Sequence, residues 1–319
     1  MKGLTDIPGI RVGHVSDFEA LTGCTAILCE AGAVGGVDMR GSASGTEETP
    51  TLDPGHVAGR VHAILLAGGS AFGLEAASGV RRYLARRGVG FQFGGEHVPI
   101  VVSAILFDLG LAKSNRHPDL AMGEAAAVAA STDVVAEGAV GAGTGATVGK
   151  ILGMDRAMKS GIGSATVELD RGVKVASLVA VNAMGDVRDP ATGQIVAGAR
   201  RTADSREFLD TADYLKRHSA PSGGPSVPRN TTLAVVATNA RLTKLQARKL
   251  AELASLGMAR SISPVNMMVD GDTVFALSLG AIEADVDSLG VAAAEAVAEA
   301  ILRAVKSTRG VAGLPGLAG

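Results

Sequence analysis

Four short apolar runs bounded by glycine dominate the first two-thirds of this chain: "CTAILCEAGAVGGVDM", "HAILLAGGSAFGL", "VPIVVSAILFDLG" and "GVKVASLVAVNAMGDV". Their length and flanks are those of strands, although alanine leaves some of them open to a buried helix. Clearer helices lie between them. Leu74, Ala77, Val80 and Leu84 share one helical face, Arg81, Arg82, Arg86 and Arg87 solvate much of the rest, and Gly88 is a suitable stop. That pattern predicts a surface helix packed on a sheet. With 47% apolar residues but only 7 Phe, 2 Tyr and no Trp in 319 residues, the core is one of Ala, Val, Leu and Ile.

A second feature divides the chain. A polar helix is predicted from about Ser205 to His218, and residues 219–230, "SAPSGGPSVPRN", then bring together three Pro, three Ser and two Gly. Such a stretch continues neither a helix nor a central strand and reads as a linker or exposed loop. Beyond it the pattern gives a strand (Thr232 to Thr238), a helix (Leu242 to about Leu256), a strand around "DTVFALSL" and an Ala-rich helix near Val291 to Lys306. This β-α-β-α segment would expose sheet edges on its own. It is expected to share one core with residues 1–230, giving a single domain over 1–319.

Charge and cysteine content narrow the function classes. Thirty Lys and Arg against 32 Asp and Glu leave a formal net charge of -2, which supplies no field for nucleic acid or an anionic membrane. Small molecules or further copies of the chain are the expected partners. Cys24 and Cys29 are too few for a disulfide framework and are not in CxxC spacing, so a reduced, cytoplasmic setting is expected. The opening "MKGLTDIPGIRVGH" has Pro, Gly and charges where a leader needs an apolar stretch. Ala-rich segments such as "VAAAEAVAEAILRAV" carry Glu and Arg, and none reads as membrane-spanning.

Several motifs can be weighed by chemistry. In "GAVGAGTGATVGK" (138–150) Gly141, Gly143 and Ala146 satisfy dinucleotide-loop spacing, but Thr144 and Ile151 fail the phosphate-loop pattern and the following segment is too glycine-broken for a phosphate-binding helix. The six His show no metal spacing, and "GGSAFG" lacks the GxSxG elbow, which leaves Ser70 to turn chemistry. "MMVDGDTVFAL" sets Asp270 and Asp272 on either side of Gly271, an Asp-Gly turn or a pair converging on one group. Asn182 interrupts an apolar strand. It needs a partner, because a buried amide without hydrogen bonds costs about 1–3 kcal/mol.

"PRNTTLAVVAT" then raises a specific possibility. A Thr hydroxyl is a weak nucleophile, but a free α-amine on the same residue, with a pKa of about 7.7–8.0, can take its proton. Such a terminus arises inside a chain if Thr231 attacks the carbonyl of Asn230, shifts the acyl group from nitrogen to oxygen and loses it to water. The products would be an α chain, 1–230, and a β chain, 231–319.

Together "LTDIPGIRVGH", "GVDMRGSASGTEET", "LAGGSAFGLEAASGV", "GAGTGATVGK", "LVAVNAMGDV", "NTTLAVVATNA" and "DGDTVFAL" occur in order across nearly the whole chain. They resemble the self-processing N-terminal-nucleophile hydrolases that include the D-aminopeptidase DmpA, the β-peptidyl aminopeptidases and the nylon-oligomer hydrolase NylC, with the Thr at the cut and Asp-Gly-Asp nearer the NylC branch. The resemblance implies an α/β fold, the αββα sandwich of the DmpA and ornithine-acetyltransferase superfamily. It implies Thr231 as nucleophile, Asn230 before the cut, Asn182 as a donor to the oxyanion, Lys150 as an active-site cation, and Asp270 and Asp272 beside the nucleophile. It further implies an amide-bond hydrolase acting on a small peptide or linear amide, no cofactor, and a homo-oligomer of αβ units, a tetramer. An acyltransferase of the ornithine-acetyltransferase type and a non-catalytic ligand-binding protein are the alternatives. The chain departs from the family where Glu47 stands in place of Arg, and where neither Tyr83 nor Tyr214 aligns with the active-site Tyr of some members, Phe72 standing near that place.

Overall fold

The computed structural model describes residues 1–112, 114–219 and 230–319. Its main strands are β1 (Arg11–Asp17), β2 (Thr22–Met39), β3 (Gly45–Glu47), β4 (Val61–Ala67), β5 (Val101–Ile105), β6 (Ile162–Glu168), β7 (Lys174–Asn182), β8 (Thr231–Ala240) and β9 (Thr273–Ile282). The helices are α1 (Ala76–Arg86), α2 (Leu120–Val128), α3 (Thr211–Arg217), α4 (Lys244–Ser261) and α5 (Val286–Lys306). The strand order is β6-β7-β8-β9-β2-β4-β5-β3, with β1 also on β2.

β2 links two layers. Its first half pairs with β1 and β4, its second half with β9, and the register on β4 shifts between Leu28 and Ala33, where Gly32 takes a φ of +82°. A bulge of this kind bends a strand, so one chain segment serves both sheets. Ile27, Leu66 and Val102 from one layer pack with Leu178, Leu233, Val235 and Phe275 from the other. α1 and α2 cover one outer face, while α4 and α5 cover the second. The result is the expected αββα sandwich.

Both faces of β8 are therefore apolar. Leu233, Val235 and Ala237 point between the sheets, and Ala234 and Val236 point to α4 and α5, which accounts for a continuous apolar run where a half-exposed strand would alternate. Gly163 on β6 lets α5 approach the sheet closely, since a Cβ there would run into the Ala300 carbonyl.

Most expected elements are present, though α4 starts at Lys244 rather than Leu242 and α5 at Val286 rather than near Val291. Thr243 and Gln246 form a capping box that opens α4, and the Asp285 carboxylate accepts from Ser288 N at the start of α5. α5 runs through Gly290, where any side chain would collide with Leu253 of α4. The helix expected from Ser205 is corrected to Thr211–Arg217: Asp210 caps it, and the preceding residues are held as extended chain by the Arg200–Phe208 bridge and by Leu209 N donating to Ala199 O. Ser70 does sit in the turn before α1, with φ 53° and its N–H on Leu106 O. The expected 219–230 loop lies almost entirely outside the described residues. No helix among the described residues is long and apolar enough to cross a membrane.

Candidate active site

Sheet register brings four of the expected residues to one place. Asn182 is the direct antiparallel partner of Thr231 across β7 and β8, and a parallel bridge joins Asn230 to Asp270 just before the β8–β9 ladder begins. Thr231 is 3% exposed, Asn182 0%, Asp270 2% and Asp272 3%, so these polar groups need partners inside the protein. In the intact chain the Thr231 hydroxyl donates to the Asn230 carbonyl oxygen at 2.5 Å. Gly271 N–H donates to that same oxygen at 3.1 Å.

The two aspartates hold the turn that faces the nucleophile. Asp272 Oδ1 accepts from Thr232 N at 2.6 Å and Oδ2 from Asn266 N at 2.9 Å, while Asp270 Oδ2 accepts from Met267 N at 2.9 Å. Asn266 has a φ of 57°, a left-handed conformation that Asn tolerates better than most residues. The Asp-Gly-Asp segment thus follows a turn at Met268 and Val269 and leads into β9, and its second carboxylate fixes the backbone immediately after Thr231.

Lys150 arrives from the glycine cluster. Gly149 N and Lys150 N donate to Gly185 O and Met184 O, docking the loop on the exit of β7, and Gly149 takes a φ of +71° where a Cβ would strike the backbone of Gly198 and Ala199. Lys150 Nζ then donates to both Asn182 O (2.9 Å) and Asn182 Oδ1 (2.8 Å). Asn182 Oδ1 also accepts from Thr147 N at 3.0 Å, and its Nδ2 donates to Phe107 O at 2.9 Å. One amide joins three segments: the glycine loop, β7 and the chain after β5.

Desolvation sets the charge state of this cluster. Burial first, and then the Asp270 charge, push the Asp272 carboxyl up to about 7; burial likewise raises Asp270. Burial brings Lys150 down to about 7 against the opposing pull of Asp270, Asp272 and Asp108. A folded pKa near 7 against an unfolded one of about 3.9 means that the folded chain binds more protons between those values, so stability falls as pH rises through that window. Asp272→Asn removes the titration. Its melting temperature is expected to drop less than wild type's between pH 4.5 and 7.5, and scans at both pH values that show the same drop would contradict the assignment.

Other residues were not anticipated. Lys159 is fully buried and donates through Nζ to the carbonyls of Gly143, Ala146 and Ser160, locking the glycine loop from within. Asp108 accepts from Gly69 N and from Thr22 Oγ1, each at 2.7 Å, and fixes the chain next to Phe107. Asp108 could have been found as a charge inside the apolar run "AILFDLG"; Lys159, in a glycine-rich segment, gave no comparable signal. Glu47 pairs with Arg81 at 2.5 Å. Phe72 is exposed and stacks on His117, Tyr214 stacks on His218, and Tyr83 lies under the Arg87 guanidinium.

Known proteins share this architecture. Residues 2–318 match the family described as Peptidase family S58. An uncharacterized aminopeptidase of Mycobacterium tuberculosis is 40% identical over 99% of this chain and 96% of its own length. A 6-aminohexanoate-oligomer endohydrolase of a Kocuria species is 32% identical over 94% of this chain and 85% of its own. Among solved structures, a Burkholderia beta-aminopeptidase superposes with a TM-score of 0.69 at 26% identity, covering 99% of this chain and 90% of that one. The L-aminopeptidase D-Ala-esterase/amidase of Ochrobactrum anthropi, described as a variant of the Ntn hydrolase fold, gives a TM-score of 0.68 over 97% and 86% at 20% identity. The sandwich, the order of the motifs and matches that run almost end to end agree: the chain belongs to peptidase family S58.

Proposed function

We propose that the protein is an amide-bond hydrolase that cuts its own chain between Asn230 and Thr231 and then uses Thr231 as an N-terminal nucleophile. The observation that supports this best is the 2.5 Å contact of the Thr231 hydroxyl with the carbonyl of the residue before it, inside a site with almost no solvent exposure. A buried hydroxyl cannot meet an outside substrate, but it is already placed against its own peptide bond. Cleavage frees the α-amine of Thr231, whose ordinary pKa of about 7.7–8.0 suits it to relay the hydroxyl proton near neutral pH.

In turnover, Thr231 Oγ attacks the substrate carbonyl and the α-amine carries the proton to the leaving amine. Lys150 and Asn182, hydrogen-bonded to each other, supply positive charge and an amide dipole where the oxyanion develops. Asp272 holds the nucleophile's backbone through Thr232 N, and Asp270 braces the same turn. A small recess lined by Phe107, Asp108, Gly145, Thr147, Lys150 and Met154 reaches Lys150 of this cluster, and a small peptide or linear amide is the class to which the named relatives point. The two fragments remain one unit, because β8 lies between β7 of the first and β9 of the second. On the family's pattern such αβ units assemble as homo-oligomers in the cytoplasm.

Intact-mass measurement on purified protein over time tests the reading. Fragments 1–230 and 231–319 are expected to appear, and hydrolysis of a panel of amino-acid p-nitroanilides and 6-aminohexanoate oligomers should rise in step with them. Amidase activity from a preparation holding only the full-length chain would sink the free-amine mechanism.

A further inference from the structure

We infer that the backbone N–H of Gly271 is the oxyanion donor for the self-cleavage step, an inference that rests on the cleavage proposed above. The bond that breaks runs from the carbonyl carbon of Asn230 to the nitrogen of Thr231. When Thr231 Oγ adds to that carbon, negative charge develops on the Asn230 oxygen. The C–N bond then breaks, the hydroxyl proton ends on the Thr231 nitrogen, and water later hydrolyses the Asn230 ester to a carboxylate and the restored hydroxyl. Gly271 N–H points at the charged oxygen from 3.1 Å, at the edge of the 2.7–3.1 Å range that such donors occupy.

That donor is held in place beforehand. The peptide unit that carries the Gly271 N–H is fastened from the opposite side by Ala43 N, which donates to Asp270 O at 2.9 Å, and the residue after Gly271 is fastened by Arg40 N and Gly41 N, which donate to Asp272 O at 3.2 Å each. With both neighbours tied, the N–H has no freedom to turn away as charge builds, which is the condition under which a dipole lowers a barrier most. Residue 271 is glycine for lack of space, not for backbone conformation, because its φ is not positive while a Cβ would sit 2.7 Å from Thr231 Oγ and 2.9 Å from Ala43 O. A side chain there would press on the nucleophile itself.

The bland alternative is that this hydrogen bond only begins the β8–β9 ladder. Replacing Gly271 by glycolic acid, through nonsense suppression in cell-free translation, swaps the amide for an ester, which deletes the N–H and weakens the Asp270 carbonyl as an acceptor from Ala43 N. Loss of one such bond is small against the total stability of a domain, so the variant folds. A control ester at Ala43 removes a hydrogen bond from the same turn but none to Asn230. Appearance of fragment 231–319 is expected to slow about 10²–10³-fold in the ester at 271, while the ester at 43 stays within about tenfold of the all-amide chain. Equal slowing by both esters, or cleavage of the 271 ester at the all-amide rate, overturns the inference while leaving self-cleavage intact. An all-amide chain that never cuts overturns both.

Discussion

Thr231→Ala is expected to stay a single uncut chain and to show no amidase activity, a loss on the order of 10⁵–10⁶ in kcat of the size seen when a nucleophile is removed. One oxygen serves both reactions. Without Oγ nothing adds to the Asn230 carbonyl, so the α-amine is never released, and the second function fails with the first. Thr232→Ala is the matched control: its hydroxyl is buried with no hydrogen bond to any described residue, whereas its N–H, which donates to Asp272, survives the substitution. It should cut and turn over near the wild-type rate. Gel analysis, intact mass and p-nitroanilide hydrolysis on both variants decide the register, and a dead Thr232→Ala beside an active Thr231→Ala would move the nucleophile by one residue.

Asn182→Ala is expected to lower both stability and kcat. Truncation strands the buried Thr147 N–H and the partly buried Phe107 carbonyl, and leaving even one buried group unpaired costs about 1–3 kcal/mol. It also releases Lys150 Nζ from one of its anchors. The loss of a preorganised donor network at the oxyanion typically lowers kcat about 10²–10³-fold, with KM little changed. The sequence reading expected the amide to act mainly on the oxyanion; the structure adds that it joins three segments, so folding and chemistry suffer together. Melting temperature, kcat and KM measured on one preparation separate the two effects. A destabilised variant whose folded fraction turns over at the wild-type kcat would remove Asn182 from the chemistry.

How much of this was legible beforehand depends on whether the interaction was local. The apolar run from Leu233 and the runs that became β2, β4 and β7 announced a buried sheet, because strand burial on both faces leaves a composition that no register can hide. The Asn-Thr-Thr step after a Pro-rich segment, and an Asn inside an apolar strand, marked two site residues on chemistry alone, and ordered motifs across the chain supplied the family. The start of α5 was placed late where Gly290 broke the pattern, since only contact with Leu253 explains a glycine inside that helix. The Ser205 helix was placed too early because pairing of Phe208 with Arg200 outweighs local propensity.

What the sequence by itself determined was the class of fold and the groups proposed to react: a hydroxyl and an amide singled out by their own surroundings, and a lysine and two carboxylates assigned through the ordered family motifs. Only the tertiary structure decided how they meet. Placing Asn182 across from Thr231 requires the β7–β8 register, aiming Gly271 N–H at the Asn230 oxygen requires residues 40–43 on the far side of the turn, and holding Lys150 near neutrality requires burial beside Asp270 and Asp272. These are separations of tens to hundreds of residues along the chain, set by packing, and packing is what a linear pattern of residue types does not encode.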